Sequence, residues 1–232
     1  AYQLWGTGIE YARAQNQLNS EFDDLLAANG VDAATPQFTP GASDEPASTP
    51  VSEPPADSAP SSTAAPTTTA APPSTELPII DGSAIFESGI VGQLWIPEIG
   101  IDGDMTIVEG VTAADLQDGP GRFPTSALPG ELGNLALAGH RTTYGAPFGR
   151  LPDLEVGDEI AIVTVHGTYT YRVTGEQVVL PEESWVVETA DETKSTLTLI
   201  TCTPIRTSEK RHVVFAELVP ELTTGPIGQF VD

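Results

Sequence analysis

The chain is poor in cysteine and in positive charge: its 232 residues hold one Cys and 9 Lys+Arg against 33 Asp+Glu, a formal net charge of −24. A single cysteine excludes an intramolecular disulfide and any metal site built from several thiolates. So few cations exclude a nucleic-acid partner, because phosphate recognition needs clustered Lys and Arg. No basic residue occurs between Arg13 and Arg122. No apolar run reaches the roughly 18–20 residues that a membrane-spanning helix requires. The chain also opens without Met and without a signal-peptide pattern, which reads as a mature or trimmed start.

What is present falls into segments. Over 1–29 there is no proline, and Leu4, Tyr11, Leu18 and Leu25 recur seven apart with Phe22 and Leu26 beside them. That spacing predicts one helix with a single apolar edge, stopped at Gly30. Two readings stand: a solvent-facing amphipathic helix, or a segment that leads out of a membrane or packs on a partner. Over 30–77 Pro, Ala, Ser and Thr dominate, as in PVSEPPADSAPSSTAAPTTTAAPPSTE. Almost no large apolar side chains are available there to offset the entropy of ordering, so the segment reads as an acidic, extended, disordered linker.

From 78 to 220 the pattern changes to short strands separated by turn signals: LWIPEIGI, MTIVEG, NLALAGH, EIAIVTV, TYTYRVTG, STLTLITC and RHVVFAELV. Short helical pieces are expected around VTAADL and APFGRLPDL, and residues 221–232 are left as a C-terminal tail. Strands at this density, with His166-Gly167 as a turn between two of them, predict one all-β domain, either barrel or sandwich.

Candidate chemistry centres on Cys202. In the strand Ser195–Cys202, Leu197 and Leu199 face one side, while Thr196, Thr198, Ile200 and Cys202 face the other. With the leucines in the core, the thiol points outward at a strand end. The loop TPIRTSEK follows, and if the flanking strands pair antiparallel across it, Arg211 lies directly opposite Cys202 on the same face. A guanidinium there biases a thiol towards thiolate and suits a carbonyl oxygen that turns negative. Three histidines compete as the proton carrier. His166 reads as an exposed turn residue. His212 points to the wrong face of its strand. His140 ends the apolar strand over 134–139 and opens the loop HRTTYGAPFG, so it is the choice.

Those residues also carry a family resemblance. TLITC (198–202) resembles the T-L-x-T-C signature of the sortases, with His140 and Arg211 at the family's other two positions, and GHRTTYGAPF (139–148) is similar to the actinobacterial class E branch. The resemblance spans about 89–219. It implies a closed β-barrel of about eight strands outside the cell, on the extracytoplasmic face of a Gram-positive membrane, anchored by an N-terminal helix of which AYQLWG would be the tail. It further implies a cysteine transpeptidase that cleaves a C-terminal sorting signal of secreted proteins between Thr and Gly. The Thr carboxyl then passes to an amine of a lipid-linked cell-wall precursor, with no cofactor.

On the substrate side the resemblance implies Phe123, Tyr144 and Thr201, the last orienting a neighbouring backbone or the substrate. Phe123, in GPGRFPTSALPG, stands where class E members commonly carry Tyr, so a weaker preference for LAXTG over LPXTG is expected. Glu182, Glu183, Glu188, Asp191 and Glu192 read as a solvated acidic loop rather than a calcium site, since no ligand spacing is apparent. The rival functions are a hydrolytic cysteine peptidase and a non-catalytic wall-associated binding module. An L,D-transpeptidase lacks its usual S-H-G-C context here.

Overall fold

The computed structural model describes residues 2–31, 35–39 and 78–231. Helix α1 (Tyr2–Ala28) is closed by Gly30 in the left-handed region (φ 67°), with Val31 N–H donating to the Leu26 carbonyl at 3.0 Å. Eight strands close into a barrel: β2 (Ile90–Ile96), β3 (Ile101–Glu109), β4 (Gly121–Arg122), β5 (Gly133–Ala138), β6 (Glu159–Thr164), β7 (Gly167–Val179), β8 (Ser195–Thr203) and β9 (Lys210–Leu218). Their order around the wall is β2-β3-β4-β5-β8-β9-β7-β6. The pairs β3–β4 and β5–β8 are parallel, and the other pairs are antiparallel.

Alternation fills the interior, with Leu94, Ile96, Leu135, Leu137, Ile160, Ile162, Tyr169, Tyr171, Leu197 and Leu199 all fully buried. Strand β6 is buried along its whole length. Its inward Ile160 and Ile162 join the barrel core, while the outer-face Val163 lies under α1 with Phe22 and Leu26. The apolar edge of α1 therefore meets the chain's own barrel, which corrects the expectation of a solvent-facing helix or one on a separate partner.

Polar side chains complete the docking. The Gln15 amide accepts from Thr106 N–H at 2.7 Å and donates to the carbonyls of Thr106 (3.1 Å) and Asp118 (2.6 Å). Strand β4 covers β3 only at Val108 and Glu109, so the outer edge at Thr106 has no strand neighbour there, and one buried side-chain amide takes that place. Strong polar anchors of this kind leave no trace in a hydrophobic period.

Other differences from the sequence reading have local causes. LWIPEIGI is not one strand: Pro97–Ile99 forms a 3-10 turn that ends at Gly100 (φ 77°) and separates β2 from β3. A short helix α2 (Ser83–Ser88), not expected, stops at Gly89 (φ 71°). The expected pieces in VTAADL and APFGRLPDL reduce to α3 (Asp115–Asp118) and a 3-10 turn over Leu151–Asp153. The C-terminal residues are not a free tail, because β10 (Gln229–Val231) pairs in parallel with β1 (Ile79–Asp81). Most of the expected linker lies outside the described residues. Within 35–39, however, Pro36 is buried and Thr39 N–H donates to Glu159 Oε2 at 2.7 Å, so that stretch lies on the barrel.

Candidate active site

Three strand ends converge at one mouth of the barrel. In the parallel β5–β8 pair Ala138 is level with Ile200, and Gly139 N–H continues the ladder to the Ile200 carbonyl at 3.0 Å. His140 and Cys202 each lie two residues beyond that level, and a period of two returns both to the face of Ile200. In the antiparallel β8–β9 pair Cys202 is directly opposite Arg211, the relationship expected from sequence, and the ladder runs one pair further to Thr203 and Lys210. His140, Arg141, Thr142 and Cys202 face Arg206 and Ser208 across an open cleft of about 340 Å3.

Each side chain there has a definite environment. His140 is half-buried, and burial holds its pKa below the ordinary imidazole value. Its Nε2 is buried and has no hydrogen-bond partner among the described residues. The Tyr144 ring lies 5.0 Å away, tilted by 38°. Thr201 is buried, and its hydroxyl donates to the Gly139 carbonyl at 2.8 Å. This threonine thus fixes the backbone just before His140, and its position inside the wall does not present it to a ligand.

Arg211 is on the expected face, but Nη1 of its guanidinium donates to the carbonyls of Ser208 (3.0 Å) and Lys210 (3.1 Å) in its own loop. Arg141, which sequence reasoning passed over, reaches the thiol's own residue: Nη1 donates to the Cys202 carbonyl at 3.3 Å and to Thr203 Oγ1 at 2.7 Å. The only signal for it was its place directly after His140. A guanidinium spans two strand ends there, joining the His140 loop to the end of β8.

The remaining histidines are placed elsewhere. His212 is buried on the face opposite Cys202, with Nε2 at 3.1 Å from Glu176 Oε2 but off hydrogen-bonding geometry. Burial lowers its pKa, and the Glu176 carboxylate opposes that shift only in part. His166 is not the exposed turn residue expected: it is half-buried, edge-on to Phe230 at 5.5 Å, because β10 packs over that hairpin.

An apolar surface leads away from the thiol along the outer face. Phe123 is half-buried against Val179, Val186, Ile200 and Val213. Its loop is pinned by the buried Arg122, which pairs with Glu109 through two contacts of 2.7 and 2.8 Å and donates to the Ser126 carbonyl. Over this surface runs the acidic loop, whose Val186 carbonyl accepts from Asn134 Nδ2 at 3.2 Å. Three of its carboxylates, Glu183, Glu188 and Asp191, are engaged locally. Glu183 accepts from Leu180 N–H at 2.6 Å, and Asp191 accepts from both the backbone and the hydroxyl of Thr193. Among the described residues no three such groups come together as a metal-binding cluster.

Residues 94–219 match the model of the sortase domain family. The chain is 33% identical to sortase D of Bacillus subtilis (strain 168), over 55% of this chain and 63% of that protein, so it spans less than two thirds of that relative's length. It is 34% identical to sortase SrtE2 of Streptomyces coelicolor, over 56% of each. Sortase E from Streptomyces avermitilis superposes with a TM-score of 0.50 at 33% identity, covering 56% of this chain and 88% of that one. Sortase C of Clostridium perfringens, solved with a C-terminal cell wall sorting motif, gives a TM-score of 0.52 at 26% identity, covering 56% of this chain and 70% of that one.

Proposed function

From the premise that this chain belongs to the sortase family of cysteine transpeptidases, we propose that it is a class E-like member acting on a C-terminal LAXTG- or LPXTG-type sorting signal. It would cleave the bond between Thr and Gly and transfer the Thr carboxyl to an amine of a cell-wall precursor. The observation that carries this reading is the convergence of Cys202 and His140 on one cleft, with Arg211 opposite the cysteine. The class E assignment rests on GHRTTYGAPF and on the similarity to Streptomyces sortases of that type.

In this mechanism Sγ of Cys202 attacks the Thr carbonyl carbon, and the thiol proton passes to the imidazole of His140. The negative oxygen is stabilised by the guanidinium of Arg211. Collapse breaks the C–N bond, His140 returns the proton to the leaving Gly amine, and a thioester remains on Cys202. The acceptor amine then loses a proton to His140 and attacks the thioester. The C–S bond breaks and the sulfur regains its proton. Phe123 and Ile200 would bed the apolar part of the signal, with the acidic loop above it and Tyr144 on the side of His140.

In the same reading the catalytic domain, with α1 docked on it, works at the extracytoplasmic membrane face. No helix of the described residues is long and apolar enough to cross a membrane. The test is incubation with fluorogenic LAXTG and LPXTG peptides and a small amine, followed by mass spectrometry. A peptide–amine adduct supports transpeptidation. Hydrolysis alone, with the amine present, indicates a peptidase, and absence of both products indicates a binding module.

A further inference from the structure

Helix α1 reaches the loop that carries His140. Thr142 to Phe148 includes three successive residues in the left-handed region, Tyr144 (φ 49°), Gly145 (φ 71°) and Ala146 (φ 53°). Two of them have side chains that disfavour this conformation, and such backbone persists only where its surroundings hold it. Within the loop, Ala146 N–H donates to the Thr143 carbonyl at 2.9 Å, Gly149 N–H to the Ala146 carbonyl at 2.8 Å and Phe148 N–H to the His140 carbonyl at 3.0 Å, and the Phe148 side chain is buried in the barrel core. Ala146 and Tyr144 lie between these bonds, and a further support for that turn comes from outside it. The ring of Tyr11 lies so close against Gly145 that a Cβ at that glycine would overlap its carbon atoms. Tyr11 is itself fixed one helical turn from the Gln15 clamp on Thr106 and Asp118, and its hydroxyl is buried without a partner among the described residues. On the far side of the same turn, Tyr144 packs its ring near His140.

We infer that Tyr11 is a positioning residue for the proposed transpeptidation: its ring wedges against Gly145 and so holds Tyr144 and His140 at the mouth of the cleft. The helix before the linker is then part of the catalytic unit. This inference rests on the assignment of His140 as the proton carrier. The requirement is for the flat ring and not the hydroxyl, because the contact with Gly145 is made by ring carbons. Loosening the loop would also hydrate His140, whose imidazolium is disfavoured by burial. The titratable or charged groups facing His140 are Tyr144 and Arg141 in its own loop, Cys202 on β8 and Arg206 before β9.

The experiment uses the full chain with Tyr11→Ala, Tyr11→Phe and, as a control that loosens α1 about 22 Å away along its axis, Leu26→Ala. Thermal unfolding, kcat and KM with the signal peptide and amine, and the NMR titration of His140, assigned with His140→Gln, are measured on each. Tyr11→Ala is expected to lower kcat about 10- to 100-fold, the scale of a misplaced catalytic group, with little change in KM. It should also raise the titration midpoint of His140. Tyr11→Phe should behave as the parent, and Leu26→Ala should lower the unfolding temperature without moving His140.

The inference is overturned if Tyr11→Ala leaves both kcat and the His140 titration unchanged, if Leu26→Ala shifts the titration equally, or if Phe fails to restore it. Should Tyr11→Ala not fold, Tyr11→Leu, which keeps bulk without a flat ring, is judged by the same two readouts. A shifted titration with unchanged kcat supports the contact and counts instead against the catalytic role of His140.

Discussion

Cys202 and Arg211 stand directly opposite one another across β8 and β9, yet the guanidinium of Arg211 donates to Ser208 and Lys210 while that of Arg141 holds the Cys202 carbonyl. Under the proposed mechanism the two arginines have separable tasks. Arg141 fixes the strand end that bears the thiol, and Arg211 has donors beyond Nη1 to turn towards a developing oxyanion.

The first expectation follows for the nucleophile. A hydroxyl is far less acidic than a thiol, and among the described residues no group bonds His140 Nε2 to strengthen the imidazole as a base. Cys202→Ser should therefore lose turnover about a thousandfold or more while keeping its unfolding temperature. Single-turnover assays with the signal peptide, together with mass spectrometry of the acyl-enzyme, decide it. Activity within about tenfold of the parent would remove Cys202 from the mechanism.

The two arginines should respond differently to conservative change. Arg211→Lys keeps a charge but loses the planar fork, and loss of an oxyanion donor typically costs about 100- to 1000-fold in kcat. Arg141→Gln removes charge-assisted bonds of roughly 1.5–3 kcal/mol, about 10- to 100-fold, and should act by displacing Cys202. Thr203→Val should reproduce part of the Arg141 effect, since Thr203 shares that guanidinium, and none of the Arg211 effect. Equal sensitivity of Arg211→Lys and Thr203→Val would mean that the tasks are assigned wrongly.

Acid should weaken the fold through its histidines before its carboxylates. His140, His166 and His212 all have pKa values lowered by burial, so below about pH 6.5 the unfolded chain binds more protons than the folded one. Stability is then complete above that pH and falls as the pH drops through the window towards the folded values. Asp81 and Glu159, whose pKa values are lowered, add their loss only in the more acidic range where carboxylates protonate. Unfolding temperatures measured from pH 7.5 to 5 should decline, and His212→Gln should flatten the decline. A flat parent profile across that window would contradict the assignment.

Much of this arrangement can be read from sequence, for physical reasons. The opposition of Cys202 and Arg211 follows from two strands of clear alternation joined by a short loop, where local pairing is the default. The parallel neighbour β5, which brings His140 alongside, is more than fifty residues away, and nothing in the alternation of NLALAGH states which strand it will join. Residue-type preferences also miss contacts made by single polar groups. Gln15 on β3, Arg141 on Cys202 and Asn134 on the acidic loop sit at positions whose neighbours carry no pattern. The helix 1–29 was visible as an amphipathic stripe, but a stripe names a buried face and leaves the covering surface open.

Selectivity at the second signal residue turns on Phe123. Its ring is half-buried against Val179, Val186, Ile200 and Val213, an apolar setting on the face of the thiol, and Arg122 pins the loop that presents it. A Tyr hydroxyl at that place could bond the peptide backbone beside a small Ala, whereas a phenyl edge accepts Ala or Pro alike. One neutral hydrogen bond contributes about 0.5–1.5 kcal/mol, a several-fold preference. The parent should therefore cleave LAXTG over LPXTG by only a modest factor, and Phe123→Tyr should widen the ratio of kcat/KM several-fold without lowering the unfolding temperature. Competition between the two peptides in one reaction measures that ratio directly. A parent that already rejects the Pro peptide about a hundredfold exceeds what one such bond supplies, and would transfer the selectivity to the Tyr144 loop.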